Sequence, residues 1–204
     1  MLTHAQICDF VAASYNQTAT WTAGDDIRAV GTQVGDEFVV AIPGTTDLQG
    51  WLDDFSIWPR VFPTIGTYHE GFGKWGLALA QLVLPAVGAS GRLVIAGHSL
   101  GGALALVLAA CSAARKRPPA RVLTFGCPRG AFMGNMVAGP LVRSALEAVE
   151  YRNYGDPIPD VPPWPTWKHA VKGTMLGAPV HDLAGSMQDH AIQLYSAHLK
   201  GAGL

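Results

Sequence analysis

The chain has 204 residues, 49% hydrophobic and 14% charged, with 14 basic against 15 acidic side chains and a formal net charge of -1. That length suits one domain with a sizeable buried core. The near-neutral balance, without a basic run or stripe, argues against a nucleic-acid partner, and six tryptophans in a weakly charged chain leave either an apolar working surface or simply a well-filled core.

In chain order, "MLTHAQICDFVAASY" reads as an amphipathic helix capped by Thr3. No Lys or Arg precedes Arg28, so the start lacks the basic region of a signal peptide. A cytoplasmic location is the expectation, with export by another route or after trimming left open. Cys8, Cys111 and Cys127 are an odd set without CxxC spacing and are expected to be buried thiols. "IRAVGTQVGDEFVVAI" reads as two strands joined at Gly35-Asp36, and "LQGWLDDF" as a short helix. "HEGFGKWGLALAQLVLPAV" reads as a long helix with an apolar face at Phe72, Trp75, Leu79 and Leu82 or Val83.

Leu93 to Ala114 contains no Lys, Arg, Asp or Glu and is long enough to cross a bilayer. Gly97, Gly101 and Gly102 interrupt it, so a buried strand, a glycine turn and a buried helix form the better parse, and no transmembrane segment is expected. The helix stops at Arg115-Lys116-Arg117 followed by Pro118-Pro119. "RVLTFGCP" reads as a buried strand, "PLVRSALEA" as a helix, "VEYRNY" as a strand, and "QDHAIQLYSAHLK" as the last helix. Strands alternating with helices predict an α/β fold with a mostly parallel central sheet covered on both faces. In such sheets the chemistry sits at the carboxyl ends of the strands.

Gly97-His98-Ser99-Leu100-Gly101 fits G-x-S-x-G between a predicted strand and a predicted helix. The sharp turn holds the serine in a strained conformation, and small residues two before and two after avoid clashes where strand and helix cross. It lifts the serine oxygen to the sheet edge and leaves the Leu100 N–H at a helix N-terminus, where free donors and the helix dipole stabilise an oxyanion. A glycine-rich junction without chemistry would read the same, so the serine needs a base and an orienting acid. Their order in this fold class is Ser, then Asp or Glu, then His.

Several segments together resemble the class 3 lipases, the fungal triacylglycerol lipases and their bacterial relatives. "VVAIPGTTDLQGWLDDF" is similar to their oxyanion strand and Trp-containing lid, "YHEGF" to the start of their next helix, and "LVIAGHSLGGALALVLAA" to their nucleophile segment. "VLTFGCPRG" is similar to their following strand and "YRNYGDPIPDVPP" to their acid loop. The resemblance implies a compact α/β-hydrolase domain over 1–204 with a lid-like segment at about 46–68. It implies Ser99 as nucleophile, Asp156 as orienting acid, His190 as base, and Thr45 as an oxyanion donor beside Leu100. Pro43 stands where the family usually carries a structural arginine, which implies a rebuilt network around the oxyanion loop.

Each assignment has rivals. Asp160 lies four residues beyond Asp156, and His181, in "VHD", competes with His190. His98, His69 and His169 read as structural, and His198 as a surface or core residue of the last helix. Trp51, Phe55, Ile57, Trp58 and Phe62 give the lid-like segment its apolar character, and its prolines make it irregular; an ordinary packed helix and loop is the plainer reading. Trp164 and Trp167 either join the same rim or pack.

The implied chemistry is acyl transfer to water on a lipid or small ester substrate, with transient contact with a lipid surface, no metal and no cofactor. A short-chain or feruloyl-type esterase, a monoacylglycerol lipase or a phospholipase A1 would look alike at this level. A non-catalytic lipid-surface binding protein is the more distant alternative.

Overall fold

The computed structural model describes residues 1–24, 27–46, 58–88, 91–132, 137–163, 165–178 and 187–204. The predicted helix at "LQGWLDDF", with Trp51, Phe55 and Ile57, and the rival His181 and Trp164 lie outside the described residues.

The chain opens with α1 (His4–Ser14). Thr3 Oγ1 accepts from the Gln6 N–H, and the Gln6 side chain accepts from the Thr3 N–H. This reciprocal pair satisfies two otherwise orphaned donors at the helix start. Next come β1 (Trp21–Ala23), β2 (Ile27–Val34) and β3 (Glu37–Ile42), then β4 (Pro59–Phe62), β5 (Gly66–His69) and the long α2 (Glu70–Ala86). The segments either side of Ser99 are β6 (Arg92–His98) and α3 (Leu100–Ala114). It is followed by β7 (Arg121–Phe125), β8 (Ala131–Phe132), α4 (Ala138–Val142) and β9 (Glu147–Asn153), and then by β10 (Trp167–Lys168), β11 (Gly173–Leu176) and α5 (Ile192–Gly201).

The main sheet has the order β1-β2-β3-β6-β7-β9-β11. The strands from β3 to β11 pair in parallel, and only β1 and β2 join antiparallel. One face carries α2, α3 and α4, with Leu79, Val83, Leu104 and Leu108 packed on Val40, Ile95 and Val122. The other carries α1 and α5, with Ile7, Val11, Tyr195 and Leu199 packed on Val39, Val94, Leu123 and Phe125. This is the expected α/β-hydrolase arrangement, and it places the carboxyl ends of β6, β7 and β9 side by side. Cys8, Cys111 and Cys127 are buried free thiols, held protonated by burial, which pushes Cys111 up to about 11. Among the described residues, no helix is long and apolar enough to cross a membrane; α3 is wrapped by the sheet and its neighbouring helices instead.

Four details differ from the expectation. Residues 59–69 are not irregular: β4 and β5 form a hairpin in a second, four-stranded sheet of order β10-β8-β5-β4. Pro59 is tolerated because β4 is the edge strand, where a missing N–H breaks no ladder. α2 turns Trp75 and Leu82 partly outward and buries Phe72, Gly73, Gly76, Leu79 and Val83. The two glycines let partners approach closely: a Cβ on Gly76 would lie 2.5 Å from Val107, and one on Gly73 2.0 Å from the Phe62 ring. The predicted helix over "PLVRSALEA" ends at Val142, because Glu147 and Ala148 pair with Arg121 and Val122 of β7 instead. Finally, α5 starts at Ile192, so His190 precedes it in a turn.

Candidate active site

Ser99 sits between the last residue of β6 and the first of α3, at φ 55° and ψ -128°. This is left-handed backbone that side chains rarely adopt. The Ser99 N–H donates to the Phe125 carbonyl at 2.9 Å, which ties the turn to the end of β7. Side chains at the flanking glycines would collide with backbone: a Cβ on Gly97 would lie 2.1 Å from the Gly101 carbonyl oxygen, and one on Gly101 2.2 Å from the Ile42 carbonyl oxygen. The G-x-S-x-G spacing is therefore a requirement of strand, turn and helix passing so closely. Leu100, first in α3, presents an N–H that has no acceptor within the helix.

Asp156 follows β9, and its carboxylate is fully engaged. Oδ1 accepts from the Ile158 N–H at 2.9 Å. Oδ2 lies 2.8 Å from His190 Nδ1 and accepts from Tyr195 Oη at 2.6 Å. All of this is buried, with His190 4% and Asp156 6% exposed. With Nδ1 donating to the carboxylate, His190 Nε2 is the bare, basic nitrogen. Among the described residues, neither His190 Nε2 nor Ser99 Oγ, both buried, has a hydrogen-bond partner.

Asn153 anchors the segment before His190. Its side-chain nitrogen donates to the Asp189 carbonyl at 2.9 Å, its oxygen lies 2.9 Å from His198 Nδ1, and its N–H donates to Tyr195 Oη at 3.0 Å. Burial and the Asp156 charge push the Tyr195 hydroxyl far up, so it stays a donor. Gly126, after β7, lies against Asp156 and His190, where a Cβ would come within 2.9 Å of Asp156 Oδ2 and of His190 Nδ1.

The rivals are placed elsewhere. Asp160 is on the surface, ion-paired with Arg129 at 2.5 Å. His169 bridges Pro159 and Glu150: Nε2 lies 2.8 Å from the Pro159 carbonyl oxygen and Nδ1 2.8 Å from Glu150 Oε2. His69 packs on Phe72 with ring centroids 4.4 Å apart. His98 lies beneath the site, its ring centroid 4.6 Å from that of His190. Burial, then the neighbouring His190, drive its pKa down to about 3, so it is neutral at working pH.

Thr45 follows Gly44 on the loop after β3, beside Ser99: a Cβ on Gly44 would lie 2.8 Å from Ser99 Cβ. Of the residues expected on the lid-like segment that are described, Trp58 is 71% exposed. Phe62, expected on the lid, is buried against α2 in the core, because the hairpin turns it inward over Gly73. Trp167 is likewise packed inside. Tyr15 and Tyr195 escaped the sequence reading, and both reach the site from helices on the far face of the sheet. Among the described residues, no three His, Cys, Asp or Glu side chains converge on one point.

The class 3 lipase family matches residues 39–166. A secreted mono- and diacylglycerol lipase of Fusarium solani is 31% identical over 137 residues, which cover 62% of this chain and 40% of that protein. The chain thus spans less than half the length of that relative. Among solved structures, the triacylglyceride lipase of Rhizomucor miehei matches with a TM-score of 0.65 at 20% identity, covering 74% of this chain and 62% of that one. A triacylglycerol lipase whose catalytic centre is a serine-protease triad matches with a TM-score of 0.67 at 20% identity, covering 80% and 74%. The family match spans more than half of the sequence: the chain belongs to the class 3 lipase family.

Proposed function

We propose that this chain is a serine hydrolase that cleaves carboxylic esters of lipids, acylglycerols or similar esters with apolar acyl chains, through an acyl-enzyme on Ser99. One observation carries the reading: among the described residues, a buried serine oxygen at a strained turn and a buried imidazole nitrogen have no hydrogen-bond partner, and the Asp156–His190 bond backs them.

Ser99 Oγ attacks the ester carbonyl while His190 Nε2 takes its proton. Asp156 keeps Nδ1 protonated and stabilises the imidazolium that forms. The oxyanion is held by the Leu100 N–H and by Thr45. His190 returns the proton to the leaving alcohol. It then takes one from water, which splits the acyl-enzyme and frees the carboxylate.

The Fusarium relative supports acylglycerols as the substrate class. Its being secreted gives no support to a cytoplasmic location and fits export of this chain. We propose the segment at about 46–68 as the lid of a single catalytic domain, in which Trp58 and Val61, 71% and 70% exposed, supply apolar surface for transient contact with lipid.

The test is hydrolysis of p-nitrophenyl esters, from acetate to palmitate, by wild type and Ser99→Ala. Wild type is expected to prefer the longer chains, and the variant to lose at least ~10³-fold. Turnover limited to acetate would replace a lipase with a short-chain esterase. Activity that survives Ser99→Ala would remove the reading altogether.

A further inference from the structure

Three hydrogen bonds run from the loop after β3 to the backbone of His190, by way of a side chain from the end of α1. The Gly44 N–H donates to Tyr15 Oη at 2.8 Å. Tyr15 Oη lies 2.6 Å from His98 Nδ1. His98 Nε2 lies 2.7 Å from the His190 carbonyl oxygen.

The direction of this chain follows from its ends. A carbonyl oxygen only accepts, so His98 Nε2 carries the hydrogen. A neutral ring then has a bare Nδ1, which accepts from Tyr15 O–H. That hydroxyl keeps its lone pairs for the Gly44 N–H. One assignment satisfies every atom, and the low pKa of His98, about 3, keeps the ring in the neutral form this requires.

Two consequences bear on catalysis. The Gly44 N–H is committed to Tyr15, so the loop's contribution to an oxyanion falls to Thr45. The Gly44 backbone is also wedged, because a Cβ there would lie 2.8 Å from both Ser99 Cβ and Tyr15 Oη. The loop's distance from the nucleophile is thus set by Tyr15 on one side and by Ser99 on the other. At the far end, His98 holds the carbonyl of the same residue whose imidazole is the base.

We propose that Tyr15 and His98 form a strut that sets the oxyanion loop and the base in register, Tyr15 positioning the loop and His98 positioning His190. Tyr15, at the end of α1, lies outside the family-matched residues 39–166. The proposal rests on the esterase reading. Removing the Tyr15 hydroxyl strands the Gly44 N–H and His98 Nδ1. It also frees His98 to shift its hydrogen to Nδ1, which would leave two acceptors facing each other at the His190 carbonyl.

The experiment compares wild type, Tyr15→Phe, His98→Ala, His98→Gln and the Tyr15→Phe/His98→Ala double variant on one soluble p-nitrophenyl ester. Labelling by a fluorophosphonate and thermal unfolding are measured on each. Tyr15→Phe is expected to lower kcat by about 10- to 100-fold with KM changed less than about threefold, and to slow labelling in proportion while remaining folded. His98→Gln, which keeps a donor for the His190 carbonyl, is expected to recover part of what His98→Ala loses. The double variant is expected to be no worse than His98→Ala, because the two residues act as one unit. Tyr15→Phe within about twofold of wild type, or additive losses in the double variant, would overturn the strut while leaving the esterase reading intact. A wild type that neither hydrolyses the ester nor labels at Ser99 would overturn both.

Discussion

Tyr195 Oη lies 2.6 Å from Asp156 Oδ2, the same oxygen that receives His190 Nδ1 at 2.8 Å. The carboxylate is therefore fixed from two directions on one atom, while the Ile158 N–H fixes the other. A carboxylate with three donors can neither rotate nor withdraw from the imidazole, so the orientation of His190 is built in.

Removing that hydroxyl in Tyr195→Phe leaves the Asn153 N–H without its acceptor and Asp156 with one donor fewer. A buried, charge-assisted bond of this kind is worth about 1–3 kcal/mol. The variant is expected to unfold earlier in denaturant by that amount and to turn over about tenfold more slowly. Urea titration and ester hydrolysis on the same preparation check both parts.

The backbone at Ser99 stores strain. A non-glycine residue held at φ 55° costs about 1–3 kcal/mol. Ser99→Gly is expected to raise stability by about 1 kcal/mol or more while abolishing hydrolysis. Thermal unfolding of the two proteins side by side tests it; a less stable glycine variant would mean that the turn is not strained.

Gly126 and Gly35 have nearly the same φ, 60° and 58°, but different surroundings. A Cβ at Gly126 meets Asp156 and His190 at 2.9 Å, whereas nothing lies within 4 Å of one at Gly35. Gly35→Ala is expected to cost about 1 kcal/mol of stability and no activity. Gly126→Ala is expected to lose about 100-fold or more in kcat, because it displaces the acid–base pair. The paired measurement separates backbone strain from intrusion on the site.

His98 gives the fold an acid limit. Its pKa falls from 6.5 in the unfolded chain to about 3 when buried, so between those values the unfolded chain binds the extra proton. Its contribution is fully present above pH 6.5 and is lost as pH falls towards 3. From pH 6.5 to 5 the loss is about 2 kcal/mol. Wild type is expected to lose that much more stability over this range than His98→Gln. Chemical denaturation at the two pH values checks it, and equal losses would contradict it.

The legible parts of the molecule were those governed by local rules. The Thr3 cap, the Gly35-Asp36 turn and the strand–glycine–helix around Ser99 are each decided within a few residues, and the structure has all three. Asp156 and Asp160 are told apart by contacts: Asp160 is held outward by Arg129, whereas Asp156 meets His190 and Tyr195. What escaped was set by distant pairings. Tyr15 and Tyr195 are ordinary apolar-face residues of their helices until the fold brings them within reach of His98 and Asp156, 83 and 39 residues away. The end of α4 was lost to β9, since Arg121 draws Glu147 into the sheet at 2.6 Å. Phe62 read as lid surface because its place in the hairpin depends on Gly73 leaving room for its ring.

Intact-mass spectrometry after exposure to a fluorophosphonate tests most directly whether Ser99 is activated. One covalent adduct per chain is expected, located on Ser99 and absent from Ser99→Ala and from His190→Ala. A wild-type protein that takes up no adduct, or carries it on another residue, would contradict that activation.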